Sequence, residues 1–317
     1  MINSSMPNLK EIRKLPFIEN ISFPCSLGIS RNKKNIQPLL VAENKDKEFF
    51  LIDGYKRYRF LVEEGIDDFI CVTVKKIANE KSEELLLEHV QYNIERGFND
   101  IEIANLILSA ERFFPQYPLL KKKLFSLLNL KFSMNNENKF KKLANLSEKC
   151  KKAYIDNFLH KNTGLRLSEL NGEEQDMILE LFKNLRLNGN KQKNVFNMFS
   201  DLSKRLNISI SELINRFFKN FLLPNLSNNN YKLFFEKLLK IHSPDYFEFN
   251  KKFLLFKKLL MGNGQGFNLL NPSNFEDTNY KLEIFFENIE ELQKKLDFIC
   301  DNLEKLERKN EFKELFQ

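Results

Sequence analysis

The hydrophobic pattern of the chain changes near residue 80, and this change constrains the fold more than any other feature. Before it, apolar residues come in short runs separated by polar turns: PLLVAE (38–43), FFLIDG (49–54) and FICVTVKKI (69–77). Runs of this length, rich in β-branched residues, predict strands. From Ser82 onwards apolar residues recur every three or four positions, which predicts helices. We therefore expect an α+β fold, with a small N-terminal α/β domain followed by a mainly helical middle and an all-α C-terminal region.

The length of 317 residues is long for one domain. We predict three parts: an α/β domain at 1–98, a helical domain at 99–217 and a helical C-terminal domain at 218–317. The helix that begins at Ser82 has this serine as its expected N-cap, and the next helix begins at Asn99 or Asp100. Gly65 is expected to end the helix that follows residue 54, because glycine adopts the left-handed conformation at low cost.

The charge balance and the scattered metal-ligand residues narrow the class of function. A formal net charge of +7 and a pI near 9.0 favour polyanionic partners, although 43 acidic residues accompany the 50 basic ones. The four cysteines form no CxxC pair and the three histidines lie far apart, so the pattern predicts no metal site. No apolar run approaches the ~20 residues of a membrane span, and no signal-peptide core is visible. We expect a cytoplasmic protein.

The segment LIDGYKRYR (51–59) has the character of a phosphate-binding turn. A strand that passes through glycine directly into a helix leaves the first N–H groups of that helix free, and the helix dipole adds positive charge there. Gly54 permits close backbone approach, while Lys56, Arg57 and Arg59 can pair with phosphate oxygens. The alternative is an ordinary helix with a charged outer face.

Three short motifs in order resemble the N-terminal domain of the ParB/sulfiredoxin-like superfamily. They read IQPLLV (36–41), GYKRYR (54–59) and YNIERGFNDIEIA (92–104), against the ParB patterns IQPL-V, G-E-R-R-x-R and E-N-x-Q-R followed by L-N-P-x-E-x-A. The resemblance covers roughly residues 15–215. It implies a nucleotide pocket that holds CTP with Mg²⁺ and closes a dimer around DNA. The positions that the resemblance assigns to nucleotide or phosphate are Gln37, Gly54, Lys56, Arg57, Arg59, Asn93 and Arg96.

Two departures from the family pattern favour binding over catalysis. Tyr55 and Tyr92 stand where ParB proteins carry glutamates, and a pocket of this kind uses carboxylates to hold a metal or to position water. Glu88 or Glu95 could substitute from one helical turn away. We expect no strong enzymatic activity, with weak CTP hydrolysis left open. The alternatives are an enzyme of the same superfamily, hydrolysing a nucleotide or transferring a phosphoryl group, and a regulator with a decayed pocket.

The segment 119–146 has the proportions of a helix-turn-helix. Asn129 lies in the turn, where a left-handed residue is expected, and asparagine tolerates that conformation. Asparagine can read adenine edges, and lysine can contact guanine or phosphate. The predicted DNA-contacting residues are Asn136, Asn138, Lys139, Lys141 and Lys142. The alternative is a lysine-rich surface helix pair, which on its own is the commoner case.

The C-terminal third contains the segment NYKLEIFFENIEELQKKLDFICDNLEKLERK (279–309), which predicts one long amphipathic helix. Its apolar stripe, which suits either intramolecular packing or a dimer seam, consists of Leu282, Phe285, Phe286, Ile289, Leu292, Leu296, Ile299, Leu303 and Leu306. ParB proteins dimerise through their C-termini, so the resemblance implies a homodimer. It further implies a nucleoid-associated protein of chromosome or plasmid partitioning, with DNA and a ParA-type ATPase as partners.

Overall fold

The computed structural model describes residues 7–21, 38–66, 71–78, 82–223, 230–262, 266–271 and 279–307, together with Phe312 and Leu315. Gln37, one of the predicted nucleotide contacts, lies outside the described residues. The chain forms two compact units, Met1–Lys183 with Leu187–Asn194, and Asn184–Arg186 with Val195–Gln317. The division at residues 98 and 217 stays a prediction.

The first unit contains a four-stranded mixed sheet in the order β1-β3-β2-β4. Its strands are β1 (Ile12–Lys14), β2 (Leu39–Glu43), β3 (Phe49–Asp53) and β4 (Cys71–Lys76). Strand β3 runs parallel to β1 and antiparallel to β2, and β2 runs parallel to β4. The predicted strands are therefore present, and β3 occupies the interior of the sheet.

Strand β3 is apolar on both faces because both faces are covered. Phe50, Leu51 and Ile52 are all buried. The turn that joins β2 to β3 is closed by the side chain of Asn44, whose oxygen accepts the backbone N–H groups of Asp46 and Glu48 at 2.9 and 2.8 Å. This local hydrogen bonding is the usual reason that asparagine occurs in tight turns.

Up to residue 206, the described chain contains ten α-helices, which lie between the strands or after them in the sequence. They are α1 (Pro16–Glu19), α2 (Tyr55–Glu63), α3 (Glu83–Asn93), α4 (Asp100–Phe113), α5 (Pro118–Leu127), α6 (Met134–Ala144), α7 (Glu148–Ile155), α8 (Lys161–Leu167), α9 (Gly172–Asn184) and α10 (Gly189–Leu206). Buried residues of α2, α3, α4 and α5 share one core with the strands. The ends of β3 and α3 are thus held next to the first turns of α2 and α4.

The helix ends follow the local signals in the sequence. Ser82 caps α3 by accepting the N–H of Glu84. Asn99 caps α4, and Glu102 completes a capping box with it. Gly65 follows the last residues of α2 with φ of 63°, and Ile66 donates its N–H to the carbonyl of Leu61. These three predicted helix boundaries are confirmed.

The second unit is also mainly helical. After α10 come α11 (Ile210–Leu213), which continues as a π-helical turn (Ile214–Phe218) and a 3₁₀ turn (Lys219–Leu222), then α12 (Asn230–His242), α13 (Pro244–Met261) and α14 (Ile289–Glu307). The aromatic rings of Phe199, Phe218, Phe221 and Phe234 pack on one another in its interior. Together with the first unit, this arrangement confirms the α+β class. Among the described residues, no helix has both the length and the apolar character to cross a membrane.

The prediction of an all-α C-terminal region with one long final helix is wrong in one place. Phe267–Leu270 (β5) pairs antiparallel with Lys281–Ile284 (β6), and α14 begins only at Ile289. Leu282, Phe285 and Phe286 therefore do not belong to the helical stripe. The apolar residues of KLEIFF fit the repeat of two residues of a strand as well as the repeat of a helix. The partner strand was not predicted because the glycines and asparagines around it indicate a loop.

Candidate phosphate-binding turn and candidate DNA-contacting helix

The turn between β3 and α2 requires a glycine. Gly54 has φ of 97° and ψ of 22°, a conformation that L side chains rarely adopt. A Cβ atom here would lie 2.8 Å from Cδ2 of Leu39 and 3.0 Å from Nη2 of Arg57. Gly54 is also the N-cap of α2, and because it has no side chain, none caps the first N–H groups of the helix. These groups and the helix dipole favour an anion at this point.

The guanidinium of Arg57 lies beside Gly54 at the start of α2. Its Nη2 donates to the carbonyl of Pro38 at 3.2 Å and lies 3.4 Å from the Asp53 carboxylate. Its buried Nε has no hydrogen-bond partner among the described residues. Lys56 and Arg59, on the same helix, are half-buried and make no ion pair within the described part of the chain. The helix start therefore carries positive charge that the described residues neutralise only in part.

Asp53 links the turn to the third motif. One oxygen of Asp53 accepts the side-chain N–H of Asn93 at 2.8 Å, and Asn93 in turn accepts Nε of Arg96 at 3.1 Å. Arg96 donates to both carboxylate oxygens of Glu102 at 3.3 Å. A continuous polar network thus joins the end of β3, the end of α3 and the start of α4.

The structure brings three of the predicted phosphate contacts into this single network, namely Arg57, Asn93 and Arg96, and Gly54 lies beside Arg57. Lys56 and Arg59 extend from the same helix without joining it. Sequence reasoning missed Glu102. The Asp53 oxygens accept hydrogen bonds from Asn93 and Arg57. The separation of 40 residues between Asp53 and Asn93 explains why no local pattern indicated the pair.

His89 is a further buried member of the site that the sequence did not indicate. Its Nδ1 lies 2.8 Å from the carbonyl of Ile52, to which it must donate, and 3.8 Å from Asp53. Burial lowers the pKa of His89, while the Asp53 carboxylate raises it by a smaller amount. The ring is therefore neutral near pH 7 and supports the end of β3 without adding charge. Its i, i+4 spacing to Asn93 on α3 is the one signal that could have found it.

The two tyrosines that replace the family's glutamates occupy different environments. The Tyr55 hydroxyl is buried, donates to the carbonyl of Leu51 at 2.8 Å and accepts the N–H of Leu15 at 2.9 Å. Burial raises its pKa well above the ordinary value. Tyr92 is half exposed. Of the two substitutes that the sequence offers, Glu88 pairs with Lys75 at 2.7 Å and Glu95 is exposed.

The donor set at the turn fits an anion better than a protein-bound cation. Within the described ranges, no group of three or more His, Cys, Asp and Glu side chains is placed to hold a metal ion. Asp53 directly precedes Gly54 in the chain, and its oxygens already bond Asn93 and Arg57. A Mg²⁺ ion at this turn would depend on the oxygens of a bound phosphate for most of its coordination.

Helices α5 and α6 form the expected pair with a short connection. Asn129 has φ of 53°, as its position in the turn predicts, and Leu130 donates its N–H to the carbonyl of Phe125. Ser133 caps α6 by accepting the N–H of Asn136. Phe140 and Leu143 are buried and form the inward face of α6.

The three lysines predicted to contact DNA all have carboxylate partners within the chain. Lys139 lies 3.3 Å from Asp100, and Lys142 lies 2.5 Å from Glu169. Lys141 lies 2.7 Å from Glu111. Much of the positive charge that the sequence displays on α6 is therefore neutralised locally.

Lys141 belongs to a four-residue ionic cluster that joins α4, α5 and α6. Glu137 lies 2.5 Å from Lys121 and 3.0 Å from Lys141, and Glu111 lies 2.9 Å from Lys121. The hydrogen bond from Lys121 lowers the pKa of Glu137; burial opposes this shift and Lys141 adds to it. The pKa of Lys141 is raised by the same carboxylates. This cluster fastens α6 to its neighbours.

The outward face of α6 differs from the predicted one. Asn138 is exposed, as is Lys142, but Asn136 donates its side-chain N–H to the carbonyl of Lys131. Asn135 and Met134 are exposed on the first turn and were not predicted. The prediction selected polar residues by type, whereas the rotation of 100° per residue from buried Phe140 places Asn135, Asn138 and Lys142 together.

Comparisons with known proteins give a weak likeness to solved structures. No family model matches the sequence, and no curated protein is significantly similar to it. The chain aligns with the solved structure of the C-terminally truncated chromosome-partitioning protein ParB from Caulobacter crescentus in complex with CTP-γ-S. The alignment covers 51% of this chain and 90% of that one, at 12% identity and a TM-score of 0.20. A likeness at this level identifies neither the family nor the function of this chain.

Proposed function

We propose that this chain is a ParB-like DNA-binding protein whose N-terminal α/β region binds the phosphates of a nucleotide. CTP is the first nucleotide to test, because the three sequence motifs resemble the CTP-binding domain of ParB proteins. The proposal includes the partners that the resemblance implies, namely DNA, a second copy of the chain and a ParA-type ATPase. The proposed biological role is chromosome or plasmid partitioning or a related regulation of DNA.

The turn at Gly54 is the observation that carries the nucleotide part of the proposal. It combines a helix start without a side-chain cap, a left-handed glycine and the guanidinium of Arg57, whose Nε has no hydrogen-bond partner in the described part of the chain. Backbone N–H groups at a helix start bind phosphate, and arginine adds directional hydrogen bonds. The buried hydroxyl of Tyr55 and the bonded oxygens of Asp53 leave no free carboxylate at the turn among the described residues. Binding is therefore favoured over hydrolysis.

The DNA part of the proposal depends on α5 and α6. A helix-turn-helix reads the major groove with residues near the N-terminus of its second helix. The exposed residues there are Met134, Asn135 and Asn138, and asparagine can form two hydrogen bonds with adenine. Lys142 is paired with Glu169 on the surface, and an exposed pair of this kind is weak enough to exchange for a phosphate. Lys139 and Lys141 are expected to contribute less.

Calorimetric titration of CTP into the wild type and Arg57→Ala tests the nucleotide site. We expect wild-type binding and a loss of about tenfold or more in affinity for the variant, because a hydrogen bond to a charged group contributes about 1.5–3 kcal/mol. Lys45→Ala is the matched control. Lys45 is an exposed cation of the β2–β3 turn, so this substitution removes the same charge away from the site. An equal loss of CTP affinity in both variants would mean that only the net charge matters. If the wild type bound none of CTP, ATP and GTP, the proposal of a nucleotide site would be contradicted.

Affinity for DNA as a function of salt tests the second part. If Lys and Arg neutralise phosphates, log K falls linearly with log salt concentration. Sequencing of genomic fragments captured by the protein would then identify the site. DNA binding that does not respond to salt would contradict the proposal, whatever the result of the nucleotide titration.

A further inference from the structure

The first two turns of α6 present neutral side chains to solvent. Met134 is 74% exposed, and Asn135 and Asn138 are exposed as well. The side-chain amides of both asparagines make no hydrogen bond with any other residue that the structure describes. In a helix-turn-helix, this part of the second helix is the part that reaches base edges in the major groove. The chemistry of these three side chains therefore decides which bases α6 can read.

The first turns of α6 offer no free cation to guanine. Arginine and lysine are the side chains that bind the O6 and N7 atoms of guanine in the major groove. Helix α6 contains no arginine. Lys139 lies 3.3 Å from the carboxylate of Asp100, and Lys141 lies 2.7 Å from that of Glu111. Both lysines are thus held against the chain's own carboxylates and away from a base.

Cytosine likewise lacks a matching group on α6. Its N4 amine is read by a carboxylate. Glu137 carries the carboxylate of this helix, and it lies 2.5 Å from Lys121 and 3.0 Å from Lys141. The remaining cation, Lys142, follows Met134 by eight residues, or about 12 Å along the helix axis, and is proposed above to contact a phosphate. Neither base of a G·C pair therefore has a reader on the exposed face.

Adenine and thymine match the groups that α6 does expose. Adenine presents an acceptor at N7 and a donor at N6, and one side-chain amide binds both. Asn135 and Asn138 are three residues apart and so lie on the same face of the helix. Thymine presents its C5 methyl group, which the flexible apolar side chain of Met134 can contact. Asn136 is different, because its amide donates to the carbonyl of Lys131 at 2.8 Å.

We infer that α6 reads A·T base pairs in the major groove, with Asn135 and Asn138 binding adenine and Met134 contacting the thymine methyl group. The inference rests on the proposed DNA binding and adds to it the class of base pair. It also separates two contributions to binding. Lysines that contact phosphates add affinity for any sequence, whereas these neutral residues distinguish one sequence from another.

Selection from a synthetic pool of random duplexes tests the preference. The full-length wild type is used at one fixed salt concentration, because affinity for DNA depends on salt. We expect the bound duplexes to share a site built of A·T pairs. DNA binding with a G·C site, or with no base preference, would overturn the inference and leave the proposed DNA binding intact. If the protein bound no duplex at all, the proposed DNA binding would fail together with the inference.

Base analogues in the selected duplex identify the atoms that are read. Uracil in place of thymine removes the C5 methyl group, and we expect binding about fourfold weaker. 7-Deazaadenine in place of adenine removes N7, and we expect binding about fivefold weaker, as for the loss of one hydrogen bond. 2,6-Diaminopurine in place of adenine changes only the minor groove and should leave the affinity unchanged. An effect of diaminopurine alone would place the reading in the minor groove and overturn the inference.

Variants of α6 assign each effect to a side chain. In Met134→Ala, the difference between the thymine and uracil duplexes should disappear. In the double variant Asn135→Ala with Asn138→Ala, the difference between adenine and 7-deazaadenine should disappear, and affinity for the selected duplex should fall roughly tenfold. Asn145→Ala is the matched control, because Asn145 is an exposed asparagine about 16 Å from Met134 along the helix axis. Both differences should persist in it.

The variants are expected to fold, because alanine is the most favourable residue in a helix and the replaced side chains are exposed. Circular dichroism checks this. If Met134→Ala and the double asparagine variant kept both differences between the duplexes, other residues would read the bases and the inference would be wrong.

Discussion

The turn at Gly54 and the outer face of α6 both display several cations in the sequence. Among the described residues, Lys56 and Arg59 at the turn make no ion pair, whereas all three lysines predicted on α6 do. At the turn, Arg57 and Arg96 bond a network that includes Asp53 and Asn93, and the N–H groups of α2 add positive potential from the backbone. On α6, each predicted lysine meets a carboxylate of a neighbouring helix or loop.

This difference shows that the number of lysines on a helix is a poor measure of its free charge. A surface lysine reaches any carboxylate within several ångströms and pairs with it at little energetic gain. A glycine at a helix start instead creates positive potential that no side chain of the glycine itself can cancel. The turn is thus the better defined anion site. DNA binding by α6 would depend more on its asparagines than on its lysines.

Among these variants, we expect Gly54→Ala to have the largest effect on stability, because it disrupts the turn. The added Cβ would lie too close to Leu39 and Arg57, and alanine would have to adopt the left-handed φ of this turn. We therefore expect a loss of roughly 2–4 kcal/mol in the free energy of unfolding. Urea unfolding followed by circular dichroism measures it. Gly172→Ala, at a glycine with no atom near the added Cβ, should be nearly neutral. A Gly54→Ala protein as stable as the wild type would refute the close approach described for this turn.

Arg96→Ala tests the network at its other end. The variant leaves the carboxylate of Glu102, which is 1% exposed, without its cation, although the N–H of Asn99 still donates to it. We expect a loss of about 1–3 kcal/mol in the free energy of unfolding. The double variant Arg96→Ala with Glu102→Gln should recover part of this loss, because it removes the buried negative charge that Arg96 balances in the wild type. No recovery would mean that the carboxylate charge is not what Arg96 stabilises.

The ionic cluster on the α6 side should respond to acid. The pKa of Glu137 is below its unfolded value of 4.5, so its contribution to stability is full above that pH and is lost as the pH falls through the lower, folded-state value. We expect Lys121→Met to lose stability near pH 7 and to show a weaker decline between about pH 5 and pH 3. Urea midpoints at several pH values check this. A parallel decline in both proteins would exclude the cluster as its source.

The smallest expected effect compares Lys142 with Lys141 on DNA. Lys142→Ala should reduce the magnitude of the salt slope of binding by about 1, whereas Lys141→Ala should leave it nearly unchanged, because Lys141 is held by Glu111 and Glu137. Fluorescence anisotropy with a duplex at several salt concentrations resolves the two slopes. Equal slopes for both variants would remove the distinction between a bound and an exchangeable lysine.

Where the signal was local, the sequence determined the structure. The glycine at 54, the caps Ser82 and Asn99, and the left-handed Asn129 each depend on residues within a few positions along the chain, so strand, helix and turn types were predictable. Short-range hydrogen bonds and φ preferences are properties of the residue types themselves.

Only the tertiary structure decided which distant groups meet. Asp53 and Asn93 are 40 residues apart, and Lys141 meets Glu111 from 30 residues away, so no spacing rule could pair them. The C-terminal hairpin is the clearest case. KLEIFF fits a helix and a strand equally well as a sequence, and its pairing with Phe267–Leu270 chose the strand, because a strand is stabilised by its neighbour rather than by its own residues.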